Sequence, residues 1–414
     1  MAMLDSPVLQ APIQQAPAAP RAVDNGLPAL LFTAFEPSGD DHASAVVAEL
    51  RLRHPTLPIF AWGGPRMERA GATLIERTGD DAVMGMPGLS KILEHKKINN
   101  RIDAWMMLNK VAVHVPVDSP AANTSICEIA RRHGARVVHL VAPQIWAWGR
   151  WRIHKLRRLT DMVLCMLPFE ETFFARRNVP ARFIGHFLFD RVLNTEELDR
   201  RGSIFGDGEP RIAMMPGSRP DELKRNFPIL LDAFRSLKKL HPNAVGVVAA
   251  TSDRVATTLK GMAERTRAGW PADLRIVVQD TDAVVRWCQI ALVKSGTVTL
   301  QVAKQNRPMV VFYKKSNPLF FLLARTVLST KLFSLPNVLA GKRIVPEFIP
   351  HFGGAGAIIK AAQQLLTDPG VQREQKQHLA EVVERFSNVN AASGAADAIE
   401  QFAGLPMRTL AASA

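Results

Sequence analysis

Short apolar runs that alternate with amphipathic stretches constrain this chain more than any other feature. A first series holds Ala29–Ala34, Pro58–Trp62, Lys110–Val117, Arg136–Val141 and Asp161–Leu167, interleaved with helical patterns at 41–53, 123–133 and 169–177. A polar, glycine-bearing stretch, Arg200–Pro210, separates it from a second series of Arg211–Met215, Ala244–Ala250, Leu274–Val278, Ile290–Lys294 and Pro308–Tyr313, with a helix over 221–240. Apolar runs of this length followed by helices are strands of a parallel sheet, because the connecting helices cover both of its faces. The chain therefore reads as α/β: two Rossmann-like domains facing a cleft, with C-terminal helices. The expected boundaries are 27–200 and 201–354 for the two domains, then 355–414 for helices and tail, with a break at Asp368-Pro369-Gly370. Ligands of such sheets bind beyond the carboxyl ends of the strands.

Residues 1–26 are rich in Pro, Ala and Gln and lack apolar periodicity, so they read as a disordered leader. They carry neither the basic start nor the continuous apolar core of a secretory signal, which predicts a cytoplasmic protein. The run Pro318–Leu323 stops at Ala324 and Arg325, well short of the roughly 20 residues that span a bilayer. Cys127, Cys165 and Cys288 are too few and too widely spaced for a disulfide framework or a cysteine-built zinc site. With 52 Lys plus Arg against 38 Asp plus Glu, the chain carries +14 and its partner is expected to be anionic. A single Tyr, no regular interleaving of aromatic and basic residues, and no zinc-finger or RRM signature argue against nucleic acid. A phosphorylated small substrate and an anionic membrane surface both fit. The loop Val141–Trp148, followed by Arg150, Arg152, Lys155, Arg157 and Arg158, reads either as a membrane-facing edge or as a solvated basic face. The mixed stretch 84–108 likewise docks on a membrane or packs on the sheet.

Two corners of the second half have the chemistry of an anion seat. The run Arg211–Met215 enters Pro216-Gly217-Ser218-Arg219 and then a helix, and the run Ile290–Lys294 enters Ser295-Gly296-Thr297 and a helix that carries Gln301. A glycine turn at a helix N-terminus lets backbone N–H groups approach a phosphate. Ser218 can cap or donate, Arg219 can grip two phosphate oxygens, and Lys294 ends its strand with a charge that reaches either solvent or the same anion. In the first half, Glu36-Pro37-Ser38-Gly39-Asp40 and Asp118-Ser119-Pro120-Ala121-Ala122-Asn123 place carboxylates at strand ends, where one can serve as a general base. In isolation Asp118 also reads as a helix N-cap and Asp40 as a turn former. His114 and His139 lie inside strands and read as core histidines.

The ordered set EPSGD (36–40), GGPRM (63–67), AVMGM (82–86), PQIWAW (143–148), LPFE (167–170), FIGH (183–186), PGSR (216–219), SGT (295–297) and SLPNVLAG (334–341) resembles the lipid-A-disaccharide synthase family from about residue 28 to 400. The resemblance implies the glycosyltransferase B fold and an inverting transfer from UDP-2,3-diacylglucosamine to 2,3-diacylglucosamine 1-phosphate. The implied products are a β-1,6-linked disaccharide and UDP. It implies no metal and no cofactor beyond the UDP-sugar donor, work in the cytoplasm at the inner membrane, and leaves a homodimer open. By motif, the resemblance makes Asp118 the base, Arg219 and Asn337 catalytic, and Gly217, Ser218, Arg219, Ser295, Gly296, Thr297 and Gln301 the nucleotide seat. Glu36, Ser38, Gly39, Asp40, Trp146 and His186 become substrate contacts. The chain departs from the family pattern at Phe35, Ala121, Ala122, Gly149, Phe187 and Gln301, the last standing where a glutamate is usual. These departures keep two alternatives in view, a paralogue with a changed donor or acceptor and a non-catalytic descendant that binds membrane or a partner.

Overall fold

The computed structural model describes residues 26–78, 89–314 and 330–406, with side chains omitted at 89–92. Residues 1–25 of the leader, the AVMGM motif and the run at 318–323 lie outside the described residues. Thirteen strands are described, β1 Ala29–Thr33, β2 Ile59–Gly63, β3 Thr73–Arg77, β4 Val111–Pro116, β5 Arg136–Leu140, β6 Met162–Cys165, β7 Ala181–Phe183, β8 Arg211–Met215, β9 Val245–Ala250, β10 Leu274–Val278, β11 Ile290–Lys294, β12 Met309–Lys314 and β13 Glu347–His351. They form a seven-stranded sheet in the order β3-β2-β1-β4-β5-β6-β7 and a six-stranded sheet in the order β10-β9-β8-β11-β12-β13. Every described pairing is parallel. The chain clusters into two compact units, Met1–Val137 with Ile399–Ala414, and Val138–Ala398.

Parallel sheets need cover on both faces, and the six-stranded sheet shows this residue by residue. Ile212 and Met214 of β8 join one core with Val248, Leu292, Val310 and Phe312. Ala213 and Met215 join the opposite core with Val247, Val293 and Val311. The side-chain alternation of a strand thus feeds two cores at once. The helix Pro220–Leu240 closes the first of these cores with Phe227, Leu230, Phe234 and Leu237. In the seven-stranded sheet β1 and β2 are buried along their whole length. Cys127, Cys165 and Cys288 are buried free thiols, and burial pushes Cys288 up to about 12.

Both sheets reverse their winding once. The order runs outward from β1 through β2 to β3 and, on the other side, from β4 onward; in the second sheet it runs from β8 to β10 and from β11 to β13. The gaps between β1 and β4 and between β8 and β11 are therefore the switch points, where loops diverge to opposite faces and leave room for a ligand.

Candidate functional site

The loops predicted from sequence to carry chemistry sit at these two switch points. At the first, β1 leads to Glu36 and the helix Pro37–Arg53, while β4 leads to Asp118 and the helix Pro120–Arg132. The helices begin earlier than the sequence pattern indicated, at Pro37 and Pro120, because proline at the first helical position has its φ already set and its missing N–H costs nothing there. Asp118 is therefore not the cap. Ser119 holds the N-cap position, and both residues adopt left-handed backbone, with φ of 47° and 36°.

A buried hydrogen-bonded chain holds that turn. Asn123 donates through Nδ2 to the carbonyls of Val117 and Asp118, each at 3.1 Å, and accepts from Thr33 Oγ1 at 2.7 Å. With its one proton spent on Asn123, the Thr33 hydroxyl accepts from His114 Nε2 at 2.9 Å, which fixes the tautomer of that buried imidazole. His114 is thus a buried core histidine, as expected, held through its Nε2. His139 is also buried, and desolvation lowers it to about 4. Ser119 Oγ donates to Glu36 Oε1 at 2.8 Å, joining the two loops.

Asp40 has a different place from the substrate contact implied by resemblance. It is 6% exposed, and its carboxylate accepts from the backbone N–H groups of Gly64, Arg66 and Met67 at 3.0–3.2 Å. It thereby caps the short helix Pro65–Arg69. A Cβ at Gly64 would lie 2.4 Å from Asp40 Oδ2, so the EPSGD and GGPRM motifs are two halves of one interaction. Gly39 packs against Ala34, while Ser38 is exposed.

At the second switch point, Gly217 has φ of 106° and Arg219 takes the N-cap position without a side-chain cap, so Ser218 does not cap. Lys294 reaches back under the turn, its Nζ 2.8 Å from Glu222 Oε1, with Arg219 3.5 Å from the same oxygen. Glu222 and Lys294 are largely buried, whereas half of the Arg219 side chain is exposed. Asn226, which the sequence reading passed over, is buried and ties the corner down. It donates to the Pro216 carbonyl and accepts from Lys314 N at 3.0 Å. Its signal was a polar residue on the buried face of an amphipathic helix. At the neighbouring corner Thr299 Oγ1 donates to the Gly296 carbonyl and Ser295 Oγ to that of Phe333, while Thr297 is exposed. Gln301 donates from Nε2 to Asp282 Oδ1 at 2.6 Å, a contact a glutamate would meet with like charge.

Asn337 is fully buried and both ends of its amide are engaged. It accepts from Ile344 N and Val345 N and donates to the Val345 carbonyl and to Glu347 Oε2. Glu347 also accepts from Phe333 N and Ser334 N, so the SLPN motif is a knot that supports the Ser295 corner. The Asn337 amide, catalytic by resemblance, is thus taken up by its own loop. Trp146 donates to Glu170 Oε1 at 2.9 Å, and Glu170 Oε2 accepts from Leu167 N, which joins the PQIWAW and LPFE motifs. His186 is buried and caps the helix Phe187–Asp190 by accepting from Leu188 N.

Two parallel α/β sheets in one chain, each with its candidate loops at a switch point, make up the glycosyltransferase B fold. A solved structure described as the glycotransferase of kitacinnamycin shares this fold, with a TM-score of 0.60 at 15% identity over 92% of this chain and 100% of that one. A putative UDP-N-acetylglucosamine 2-epimerase from Listeria monocytogenes has a TM-score of 0.62 at 12% identity over 92% and 98% of the two chains. Within that class, residues 30–400 match the family model described as lipid-A-disaccharide synthetase. The lipid-A-disaccharide synthase of Geobacter sulfurreducens is 31% identical over 92% of this chain and 97% of its own. That of Anaeromyxobacter dehalogenans is 36% identical over 88% and 93%. The chain belongs to the lipid-A-disaccharide synthase family and is a glycosyltransferase of lipid A biosynthesis.

Proposed function

We propose that the protein joins UDP-2,3-diacylglucosamine to 2,3-diacylglucosamine 1-phosphate with inversion, giving the β-1,6-linked disaccharide and UDP. The observation that carries this reading is the division of labour between the switch points in a chain of this family. One holds Asp118 on a buried scaffold, and the other gathers Arg219 and Lys294 about two glycine turns. Asp118 takes the proton of the acceptor 6-hydroxyl as that oxygen bonds to the anomeric carbon. The bond from the anomeric carbon to the diphosphate breaks on the opposite face, and UDP leaves with the electron pair. Arg219 and the N–H groups of the Gly217 and Gly296 turns stabilise the charge that develops on the diphosphate. Ser218, Ser295, Thr297 and Gln301 complete the nucleotide seat, and Glu36 and Ser38 face the acceptor. Asp40 and Gly39 support the Glu36 loop from within its own unit, and Trp146 and His186 remain candidate substrate contacts.

The protein works peripherally at the cytoplasmic face of the inner membrane. No helix among the described residues is long and apolar enough to cross a membrane. The loop 143–152 exposes Trp148 and Trp151, and the Arg152 guanidinium lies 3.7 Å from the Trp148 ring centroid. Indole rings flanked by cations suit an anionic headgroup layer. Flotation with anionic liposomes, weakened by salt, is the expected result.

The decisive experiment is mass spectrometry of the products formed from the two acylated substrates. Disaccharide from the unaltered protein and none from Asp118→Ala is expected. No product from folded protein overturns the reading. A second reading, a changed nucleotide-sugar donor, is favoured by Gln301, whose amide is held by Asp282. A larger thermal shift with a nucleotide sugar other than a UDP-sugar would establish it.

A further inference from the structure

The corner that is shaped for a phosphate already contains an anion. Glu222, in the first turn of the helix Pro220–Leu240, is 5% exposed and turns its carboxylate inward beneath Gly217. A Cβ on Gly217 would lie 2.8 Å from Glu222 Oε2, so the glycine admits this carboxylate as well as the turn. The other oxygen, Oε1, holds Lys294 Nζ at 2.8 Å and Arg219 at 3.5 Å. Lys294 in turn lies between the two glycine turns, its Cδ 3.5 Å from a Cβ built on Gly217 and its Nζ 3.7 Å from one built on Gly296. The Tyr313 ring lies 5.0 Å from the same ammonium. The two cations best placed to meet a diphosphate are therefore both partnered by one internal carboxylate.

A buried carboxylate here acts in two opposing ways. It keeps Lys294 and Arg219 ordered, which lowers the entropy lost when an anion binds. It also repels an incoming anion and competes with it for the same two cations. The close Lys294 contact at low exposure makes competition the larger effect, because charges at hydrogen-bond distance interact strongly where water is excluded.

We propose that Glu222 is a positioning residue that acts as an internal rival of the nucleotide diphosphate, holding Lys294 and Arg219 in the empty corner and reclaiming them so that the UDP product leaves. This rests on the reading of the corner as the UDP seat. It assigns Glu222 to product release and leaves the chemical step to Asp118.

The test is calorimetric titration of UDP into the unaltered protein and into Glu222→Gln, Glu222→Asp and Arg219→Ala, with melting temperatures recorded for each. Glu222→Gln should bind UDP at least about fivefold more tightly, as expected when a like charge next to the site is removed. At saturating substrate its turnover should fall with KM, the pattern of slowed release. Glu222→Asp keeps the charge but withdraws it by one methylene, so it should tighten UDP in the same direction and by less; this variant decides the matter if the glutamine does not fold. A scaffold role alone gives the opposite sign, because loosening the corner weakens binding. UDP affinity that is unchanged or weaker in both folded variants overturns the proposal. If Arg219→Ala binds UDP as tightly as the unaltered protein, or the unaltered protein binds none, the reading of the corner fails and the proposal falls with it.

Discussion

The two switch points solve the same geometrical problem with opposite chemistry. The corner after β1 and β4 is acidic, and its sharp turn is made by residues with side chains, Asp118 and Ser119, held in left-handed backbone by Asn123. The corner after β8 and β11 is cationic, and its sharp turn is made by a glycine, Gly217, with a carboxylate packed where a side chain would be. Left-handed backbone costs a residue with a side chain about 1–2 kcal/mol, so it survives only where buried hydrogen bonds offset it. The first corner thus gives up stability to hold Asp118 and Ser119 in a strained turn. The second omits the side chain at the turn and fills that space with the Glu222 carboxylate.

The contrast breaks most sharply at Asp118. Asp118→Ala should lower turnover by about 10²–10⁴-fold while UDP affinity stays within twofold, measured by product mass spectrometry and calorimetry. If turnover survives, the acidic corner does not supply the base. Arg219→Ala should cost turnover about 10²–10³-fold and weaken UDP as well, since this side chain serves both the bound diphosphate and its departure. Loss of turnover without loss of UDP affinity would separate those two roles.

The turns themselves give a smaller, paired effect. Gly217→Ala meets both a positive φ and the Glu222 carboxylate, and should lose about 1–3 kcal/mol in denaturant unfolding. Ser119→Gly should be near neutral there, because relief of strain offsets the lost hydrogen bond to Glu36, each worth about 1 kcal/mol. Equal losses at both positions would remove the distinction drawn between the corners.

The smallest effect on turnover is expected at Glu170, outside both corners. Desolvation raises its carboxyl from 4.5 to about 7, against the hydrogen bonds from Trp146 and Leu167 that favour the charged form. Between those values the folded chain keeps a proton that the unfolded chain has lost. Its stabilising contribution is therefore fully present below pH 4.5 and is lost as pH rises through 7, by up to about 1.4 kcal/mol per pH unit. Melting temperatures of Glu170→Gln should fall less steeply than those of the unaltered protein between pH 5 and about 7.5. Parallel curves would show that Glu170 is ionised throughout.

Much of this architecture was legible in the chain. All ten apolar runs read as strands are strands, and the tail helices part at Asp368, whose side chain caps the helix Pro369–Glu384. The strands that escaped notice, β3, β7 and β13, each lie at a sheet edge. An edge strand has one neighbour and is incompletely covered, so sequences such as TLIER and EFIPH carry no continuous apolar run. The chemistry-bearing loops were legible as motifs, but the functions of individual motif residues were not. Asp40 and Asn337 meet buried backbone groups of other segments and His186 caps its own helix at Leu188 N, and only the fold shows that these polar atoms are taken up internally. Glu222 and Asn226 were hidden for the converse reason, as polar residues in a helix whose periodicity advertises only its apolar face.

The fully buried carboxylate of Glu400, paired with Arg53 and His54, has a bearing on how the chain is made. The unit that begins at the N-terminus is discontinuous, and Ile399–Ala414 belongs to it. A ribosome that has finished Val137 has made the Arg53 partner Glu49 but not Glu400, the buried carboxylate that also meets Arg53 and His54. All of Val138–Ala398 must emerge first, a delay of roughly tens of seconds at ordinary elongation rates. Of these two units, the one that holds the helix Pro37–Arg53 is thus begun before the other and completed after it, and loss of the helix Ala391–Ala403 would leave Arg53 and His54 without their buried Glu400 partner.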